Sequence, residues 1–221
     1  MRRAGLAVVS LAFLAACSTG PSVATRRYYD PNGLFSARLP AANDLLVMPK
    51  QTLAGTAPLL SGVLALPPQA SPTPSNQPFG AGLTPVTQQD TAIYGVFAVK
   101  VAATTTIVEF ARSLLSGTVG PSVVTDQKVS AGGLQGLLAV VDHHDTAAPA
   151  NDYTDASGFF RQGSVGYWVR ELFPPGQWGQ RRDDFLRILR SFRPGVPAGL
   201  PAVPFGRPGL EVRTGIGWPL G

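Results

Sequence analysis

The chain has 221 residues, of which 44% are hydrophobic and 14% charged, with a formal net charge of +5. This length suits one domain with tails. Because two of the positive charges are Arg2 and Arg3 at the amino end, the remaining excess is too small to indicate nucleic-acid binding. The 25 glycines and 21 prolines predict long irregular stretches around a modest core.

Cys17 is the only cysteine of the chain. A single cysteine excludes an intramolecular disulfide and a metal site built from several thiolates. Its surroundings are more informative, because Met1, Arg2 and Arg3 precede an apolar run over residues 4–16. A positive start, a short apolar run and small residues before a cut are typical of a secretory signal peptide. The run is also shorter than the roughly 20 residues that span a bilayer.

The end of this run, Leu14-Ala15-Ala16-Cys17, resembles the lipobox of bacterial lipoproteins. The resemblance implies a diacylglycerol thioether on Cys17, cleavage before it, and acylation of the new amino terminus, commonly with palmitate. Ser18 is not the aspartate that retains such proteins at the inner membrane in many two-membrane bacteria, so an outer-membrane position facing the periplasm is expected in such a source. An ordinary signal peptide with a chance cysteine, or an uncleaved anchor, remains the alternative.

The domain is predicted to follow a lipidated tether over residues 17–26. An aromatic pair and Asp-Pro-Asn-Gly chemistry at residues 28–33 predict a turn, followed by strands at 34–40 and 45–48. The pattern weakens over residues 58–89, although 59–66 is apolar around Gly62. Five prolines between 67 and 78 predict an exposed insertion at about 67–89.

The middle of the chain carries the clearest signals. Residues 93–101 are β-branched and aromatic, which predicts a strand with its core side opposite Tyr94. Thr106 and Glu109 have capping-box spacing before an apolar helical stripe. Further predictions are a β-prone segment at 122–128, a glycine-rich bend at 132–136, a strand covered on both faces at 137–141, a polar loop at 145–157, and strand at 159–160 and 166–173.

A closing helix is predicted around Phe185, Ile188, Leu189 and Phe192, which recur at helical spacing. Asp183 and Asp184 are predicted to lie in its first turn, where the helix dipole favours anions. Pro194-Gly195 would end the helix. The Gly/Pro-rich tail at 195–221 is predicted to be extended or disordered.

Three segments together resemble the PsbP-like superfamily, which includes the LpqN-type lipoproteins of actinobacteria. They are the opening Tyr29–Pro40, the bend Gly132–Gly136 and the closing Asp184–Phe192. The resemblance covers residues 27–194 and implies an α+β fold, a twisted antiparallel sheet packed with helices in a PsbP-like sandwich. It also implies a binding or assembly protein rather than an enzyme, whereas the insertion and the tail depart from the pattern.

Asp142-His143-His144-Asp145 is the most conspicuous candidate site, because histidine and aspartate ligate zinc and iron. Neighbouring side chains of a strand point to opposite faces, so at most two of the four share a face. The sequence therefore predicts a polar strand end and no metal or cofactor. It lacks a Gly-x-Ser-x-Gly elbow, a P-loop and a dinucleotide fingerprint.

Two groups of residues could form a binding surface, but each also has a structural explanation. Arg181, Arg182, Arg187, Arg190 and Arg193 could bind an anionic surface, but a solvated helix face explains them better. Tyr28, Tyr29, Trp168 and Trp178 are better explained as packing residues than as a contact surface.

The sequence thus predicts a lipid-anchored, non-enzymatic envelope protein that binds the membrane through Cys17 and an envelope protein through its domain. The alternatives are an envelope hydrolase or metal-dependent enzyme, and a carrier of a small apolar ligand. Convergence of three among Asp142, His143, His144, Asp145 and Asp152 would favour the enzyme, and their dispersal the binding protein.

Overall fold

The computed structural model describes residues 23–48, 51–52, 58–68, 92–115, 122–144 and 152–195. Two helices lie in this part of the chain, α1 (Ile107–Leu115) and α2 (Trp178–Ser191). The strands are, in chain order, β1 (Thr25–Tyr29), β2 (Phe35–Pro40), β3 (Asp44–Met48), β4 (Gln51–Thr52), β5 (Pro58–Leu66), β6 (Ile93–Lys100), β7 (Ser122–Ala131), β8 (Leu134–His143), β9 (Tyr153–Gln162), β10 (Val165–Phe173) and β11 (Arg193–Pro194).

The large sheet is antiparallel, with the strand order β3-β5-β6-β10-β9-β8-β7 and β4 paired to β5. Its central strands are buried on both faces, so their side chains form two separate cores. Alternation along β10 places Tyr167 and Val169 on one face and Trp168 and Leu172 on the other. We call these the α2 face and the α1 face, after the helix that packs on each.

The α2 face is closed by α2 and by a small antiparallel sheet with the order β1-β2-β11. Phe192, at the end of α2, stacks on Phe160 of β9 with ring centroids 5.4 Å apart. At Gly158 a Cβ atom would lie 2.2 Å from Leu189 Cδ1, so the helix packs directly on the backbone of β9. The closing helix is thereby held against the centre of the large sheet.

The α+β prediction is confirmed, since the described residues form two antiparallel sheets packed with two helices. The predicted turn before β2 is present, where the Asp30 carboxylate accepts the Leu34 N–H at 2.9 Å. The capping box of α1 is also present, since Thr106 N–H donates to Glu109 Oε2 at 2.7 Å and Glu109 N–H donates to Thr106 Oγ1 at 3.2 Å.

The structure differs from the sequence prediction in several details. The segment 58–66, to which the sequence pattern assigned no element, forms a buried strand. The missing side chain of Gly62 makes room for Phe97 on the neighbouring strand, since a Cβ there would lie 2.7 Å from that ring. The predicted loop at 145–157 gives way to β9 from Tyr153 onward. Gly136 lies inside β8 rather than in the bend. The side of β6 carrying Tyr94 is core as well.

The helix α2 begins at Trp178, so Asp183 and Asp184 lie beyond its first turn, contrary to the prediction. Trp178 is held at that end because its ring packs against Phe185 and Phe173, with centroids 6.1 and 6.4 Å apart. At the amino end, β1 starts at Thr25, inside the predicted tether. Cys17, Asp145, the insertion after Pro68 and the tail after Gly195 lie outside the described residues.

Candidate functional site

The Asp-His-His-Asp segment lies where β8 ends beside the start of β9. Asp142 Oδ1 accepts a hydrogen bond from Thr154 Oγ1 at 2.5 Å. His143 is buried on the α1 face, where its ring stacks on Tyr153 with centroids 4.4 Å apart. His144 is exposed, and its Nδ1 lies 2.9 Å from Asp152 Oδ2. These side chains therefore form separate pairs.

The described residues contain no group of three histidine, cysteine or acidic side chains placed to hold a metal ion. Asp142 and His143 occupy opposite faces because they are neighbours in one strand. Of the five residues whose convergence would favour an enzyme, the structure describes Asp142, His143, His144 and Asp152, and no three of these four converge. The pairing of His144 with Asp152 also raises the pKa of this histidine.

A buried polar network that the sequence analysis missed lies on the α1 face, beside His143. Arg170 Nη2 lies 2.5 Å from Asp155 Oδ2, and both side chains are almost fully buried. Ser157 Oγ donates to Asp155 Oδ1 at 2.6 Å. Trp168 Nε1 donates to Ser157 Oγ at 2.8 Å, and the Arg170 guanidinium lies 4.3 Å from the centre of the Trp168 ring. In this network the buried positive charge of Arg170 is neutralised by the buried carboxylate of Asp155.

His143 stands next to this network without joining it. The residue is 5% exposed, and neither ring nitrogen has a hydrogen-bond partner among the described residues. Burial lowers the pKa of His143, so the ring is neutral in the folded protein near pH 7. Because the imidazole bonds neither Ser157 nor Asp155, these residues do not form the nucleophile–base pair of a serine hydrolase.

A second buried charge lies on the opposite face of β10. Glu171 is fully buried, and its Oε1 lies 3.3 Å from Arg181 Nη1 of α2. Burial raises the pKa of Glu171 to about 7, against the lowering effect of Arg181. Arg181 also lies over the Phe173 ring, 5.6 Å from its centre. This carboxyl group therefore titrates near neutrality inside the core.

The predicted basic stretch of α2 divides into two groups. Arg181 pairs with Glu171, Arg187 pairs with Asp184 at 2.5 Å, and Arg182 lies 4.0 Å from Asp183. Arg190 and Arg193 form no such pair with a described carboxylate, and Arg193 in β11 lies on the face of the small sheet that carries Arg27 and Arg38. We call the second group the arginine face: Arg27, Arg38, Arg190 and Arg193.

The aromatic residues that could have formed a contact surface are mostly packed in the protein core. Tyr28 and Trp168 are 1% and 3% exposed, and Trp178 packs partly against the core of the α2 face. The packing interpretation is thus confirmed for these three side chains.

Neither described helix is long and apolar enough to cross a membrane. Comparisons with protein-family models and with curated proteins give no match.

Several solved structures are similar in fold. Cyanobacterial PsbP (CyanoP) from Synechocystis sp. PCC 6803 is 10% identical with a TM-score of 0.48, covering 82% of this chain and 98% of that one. LpqN of Mycobacterium tuberculosis, described as involved in cell envelope biogenesis, is 13% identical with a TM-score of 0.45, covering 81% and 88%. The Ran-binding protein Mog1p of Saccharomyces cerevisiae is 8% identical with a TM-score of 0.46, covering 78% and 96%. With TM-scores below 0.5, these likenesses assign no function to this chain.

Proposed function

We propose that the chain is a bacterial envelope lipoprotein, anchored by diacylglycerol on Cys17, whose folded domain is a non-enzymatic binding or assembly module. The observation that carries the anchor is Leu14-Ala15-Ala16-Cys17 at the end of a short apolar run. Thr25, only eight residues later, already begins the first strand. The proposed anchor and the folded domain are therefore joined by a short tether.

Lipid chemistry makes such an attachment durable. A single acyl chain binds a bilayer only marginally, whereas two chains on one residue hold a protein there stably. We place the protein at the outer membrane, facing the periplasm, if its source has two membranes, because serine follows the cysteine.

The binding role is supported by how the domain uses its polar side chains. His144 pairs with Asp152, Asp142 with Thr154, and Asp155 with Arg170, so these polar side chains have structural partners within the domain. His143 is neutral and buried without contact to a nucleophile. The partner we propose is another protein of the envelope.

The anchor is tested by growing bacteria that express the full chain with labelled palmitate. Wild type and the matched control Ser18→Ala should incorporate label and sediment with membranes. Cys17→Ala should incorporate none and should retain residues 1–16, because modification of the cysteine precedes cleavage in the lipoprotein pathway. Equal labelling of the wild type and the Cys17 variant, or no labelling of either, would refute the proposed anchor.

A further inference from the structure

The arginine face lies on the outward side of the small sheet and at the carboxyl end of α2. Arg27 and Arg38 are direct cross-strand partners in β1 and β2. Arg193 is the partner of Ser36, two residues from Arg38 and therefore on the same face. Arg190 belongs to the last turn of α2, and its carbonyl accepts a hydrogen bond from Arg193 Nη1 at 2.7 Å. The small sheet thus carries three arginines on one face, and Arg190 lies at the adjoining end of α2, three residues before Arg193.

The charge of this face is not balanced by any described carboxylate. None of its four arginines lies within ion-pair distance of one, whereas three other arginines of α2 do. The pKa of Arg27 is lowered, first by burial and then by the charges of Arg38 and Arg193. Holding like charges together costs free energy, which an anionic partner would recover.

Helix capping explains only half of the arginine face. Arg27 Nη1 donates to Ser191 O at 3.2 Å, and Arg193 Nη1 donates to Phe192 O at 2.7 Å, so these two side chains satisfy carbonyls at the negative end of the helix dipole. The side chains of Arg38 and Arg190 are exposed and bond no described residue. Their guanidinium groups are free to contact a partner outside the domain.

The length of the tether favours a membrane as that partner. The eight residues from Cys17 to Thr25 can span at most about 29 Å when fully extended. The small sheet contains the first strand of the domain. The proposed anchor therefore limits the distance from the membrane to the arginine face more than it limits the distance to any later element. This step rests on the lipid anchor proposed above.

We propose that the arginine face docks on anionic phospholipid headgroups of the membrane that holds the lipid anchor. Each arginine near an anionic leaflet contributes a factor of about 5 in binding. Docking would orient the domain so that the small sheet faces the bilayer. The helix α1, which packs on the opposite face of the large sheet, would then point away from the bilayer.

The full chain, purified from membranes with its amino terminus as processed by the cell, is reconstituted into two kinds of vesicle. One contains equal parts of phosphatidylglycerol and phosphatidylcholine, and the other contains phosphatidylcholine alone. Phenylglyoxal then modifies accessible arginines, and mass spectrometry gives the modification rate of each arginine and the mass of the Cys17 peptide. Arg112 and Arg161 serve as internal controls because they lie on α1 and on the α1 face.

Arg38 and Arg190 should be modified about 5-fold more slowly in the anionic vesicles. The rates of Arg112 and Arg161 should not change, and high salt should abolish the difference because it screens the charges. Equal rates in both vesicles, with lipid on Cys17, would overturn the docking and leave the anchor intact. A Cys17 peptide without lipid would overturn the anchor and the docking with it. Protection by soluble dextran sulfate but not by anionic vesicles would overturn the lipid surface as the partner.

Two matched double variants sharpen the test. Arg38→Gln/Arg190→Gln should bring the modification rate of Arg193 in anionic vesicles close to its rate in neutral ones. Arg112→Gln/Arg161→Gln removes the same charge from the other face and should leave Arg193 protected. Identical protection of Arg193 in both variants would contradict the proposal.

Discussion

Arg170 and Glu171 are neighbours on β10, yet they are buried on opposite faces and neutralised in different ways. Arg170 receives its carboxylate from Asp155 on the adjacent strand, so this ion pair is built into the large sheet. Glu171 receives its arginine from α2, so its neutralisation depends on docking of the helix. The α1 face therefore keeps its charges paired within the sheet, while the α2 face holds a carboxyl that remains easy to protonate.

The largest expected effect comes from breaking the ion pair within the sheet. Asp155→Leu should lower the free energy of unfolding by about 3–5 kcal/mol, because it leaves the Arg170 charge buried without a partner. The double variant Asp155→Leu/Arg170→Leu should recover most of this loss, since an apolar pair can replace a buried ion pair. Chemical denaturation of the four proteins of this cycle measures both effects.

The matched control is Asp142→Leu, which removes a carboxylate that accepts a hydrogen bond from Thr154 and lies on the face of the large sheet opposite to Arg170. Asp142→Leu should lower the free energy of unfolding clearly less than Asp155→Leu does. If the double variant were as unstable as Asp155→Leu alone, the loss of stability would not come from leaving the Arg170 charge without its partner.

On the α2 face, the smaller expected effect is a dependence on pH. The folded-state pKa of Glu171 is raised from 4.5 to about 7, so the folded protein binds a proton that the unfolded chain releases between these values. The contribution of Glu171 to stability is thus present below pH 4.5 and is lost as pH rises towards 7, by at most about 3 kcal/mol.

Glu171→Gln should remove this dependence. Wild type should gain stability relative to the variant when the pH falls from 7 to 4.5, in unfolding experiments at both values. Comparison with the variant is needed because buried His143, whose folded pKa is lowered, contributes the opposite slope below pH 6.5. Glu109→Gln is the control: hydrogen bonds from Thr106 lower the pKa of Glu109, so it titrates below this range. An unchanged pH profile in Glu171→Gln would contradict the raised pKa.

Much of the fold followed from local signals in the sequence. Period-two alternation located β2, β-branched and aromatic composition located β6, and the capping box at Thr106 located α1, because these patterns are set by neighbours in the chain. The start of β9 was missed because Asp155 and Ser157 are polar at core positions. The hydrogen bond from Ser157 to Asp155, together with those from Arg170 to Asp155 and from Trp168 to Ser157, stabilises a strand that local hydrophobicity does not show.

The candidate site was harder to predict, because its members come from distant parts of the chain. Strand alternation correctly separated Asp142 from His143. It gave no indication that Arg170 would neutralise Asp155, since that contact depends on the register of β9 and β10. The arginine face was hidden for the same reason: Arg38 and Arg193 lie far apart in the sequence and meet only when β11 pairs with β2.

We infer that the carboxyl end of β8, with Asp142, His143 and His144, has a structural role in the proposed binding module. Elemental analysis of protein purified without a histidine tag tests this role, alongside the variant His143→Phe/His144→Gln, which removes both imidazoles and keeps a ring on Tyr153. We expect no stoichiometric zinc, copper or iron in either protein, and equal capture of an envelope partner by crosslinking in native membranes. One metal ion per chain in the wild type, absent from the double variant, would contradict the claim and favour a metal-dependent enzyme.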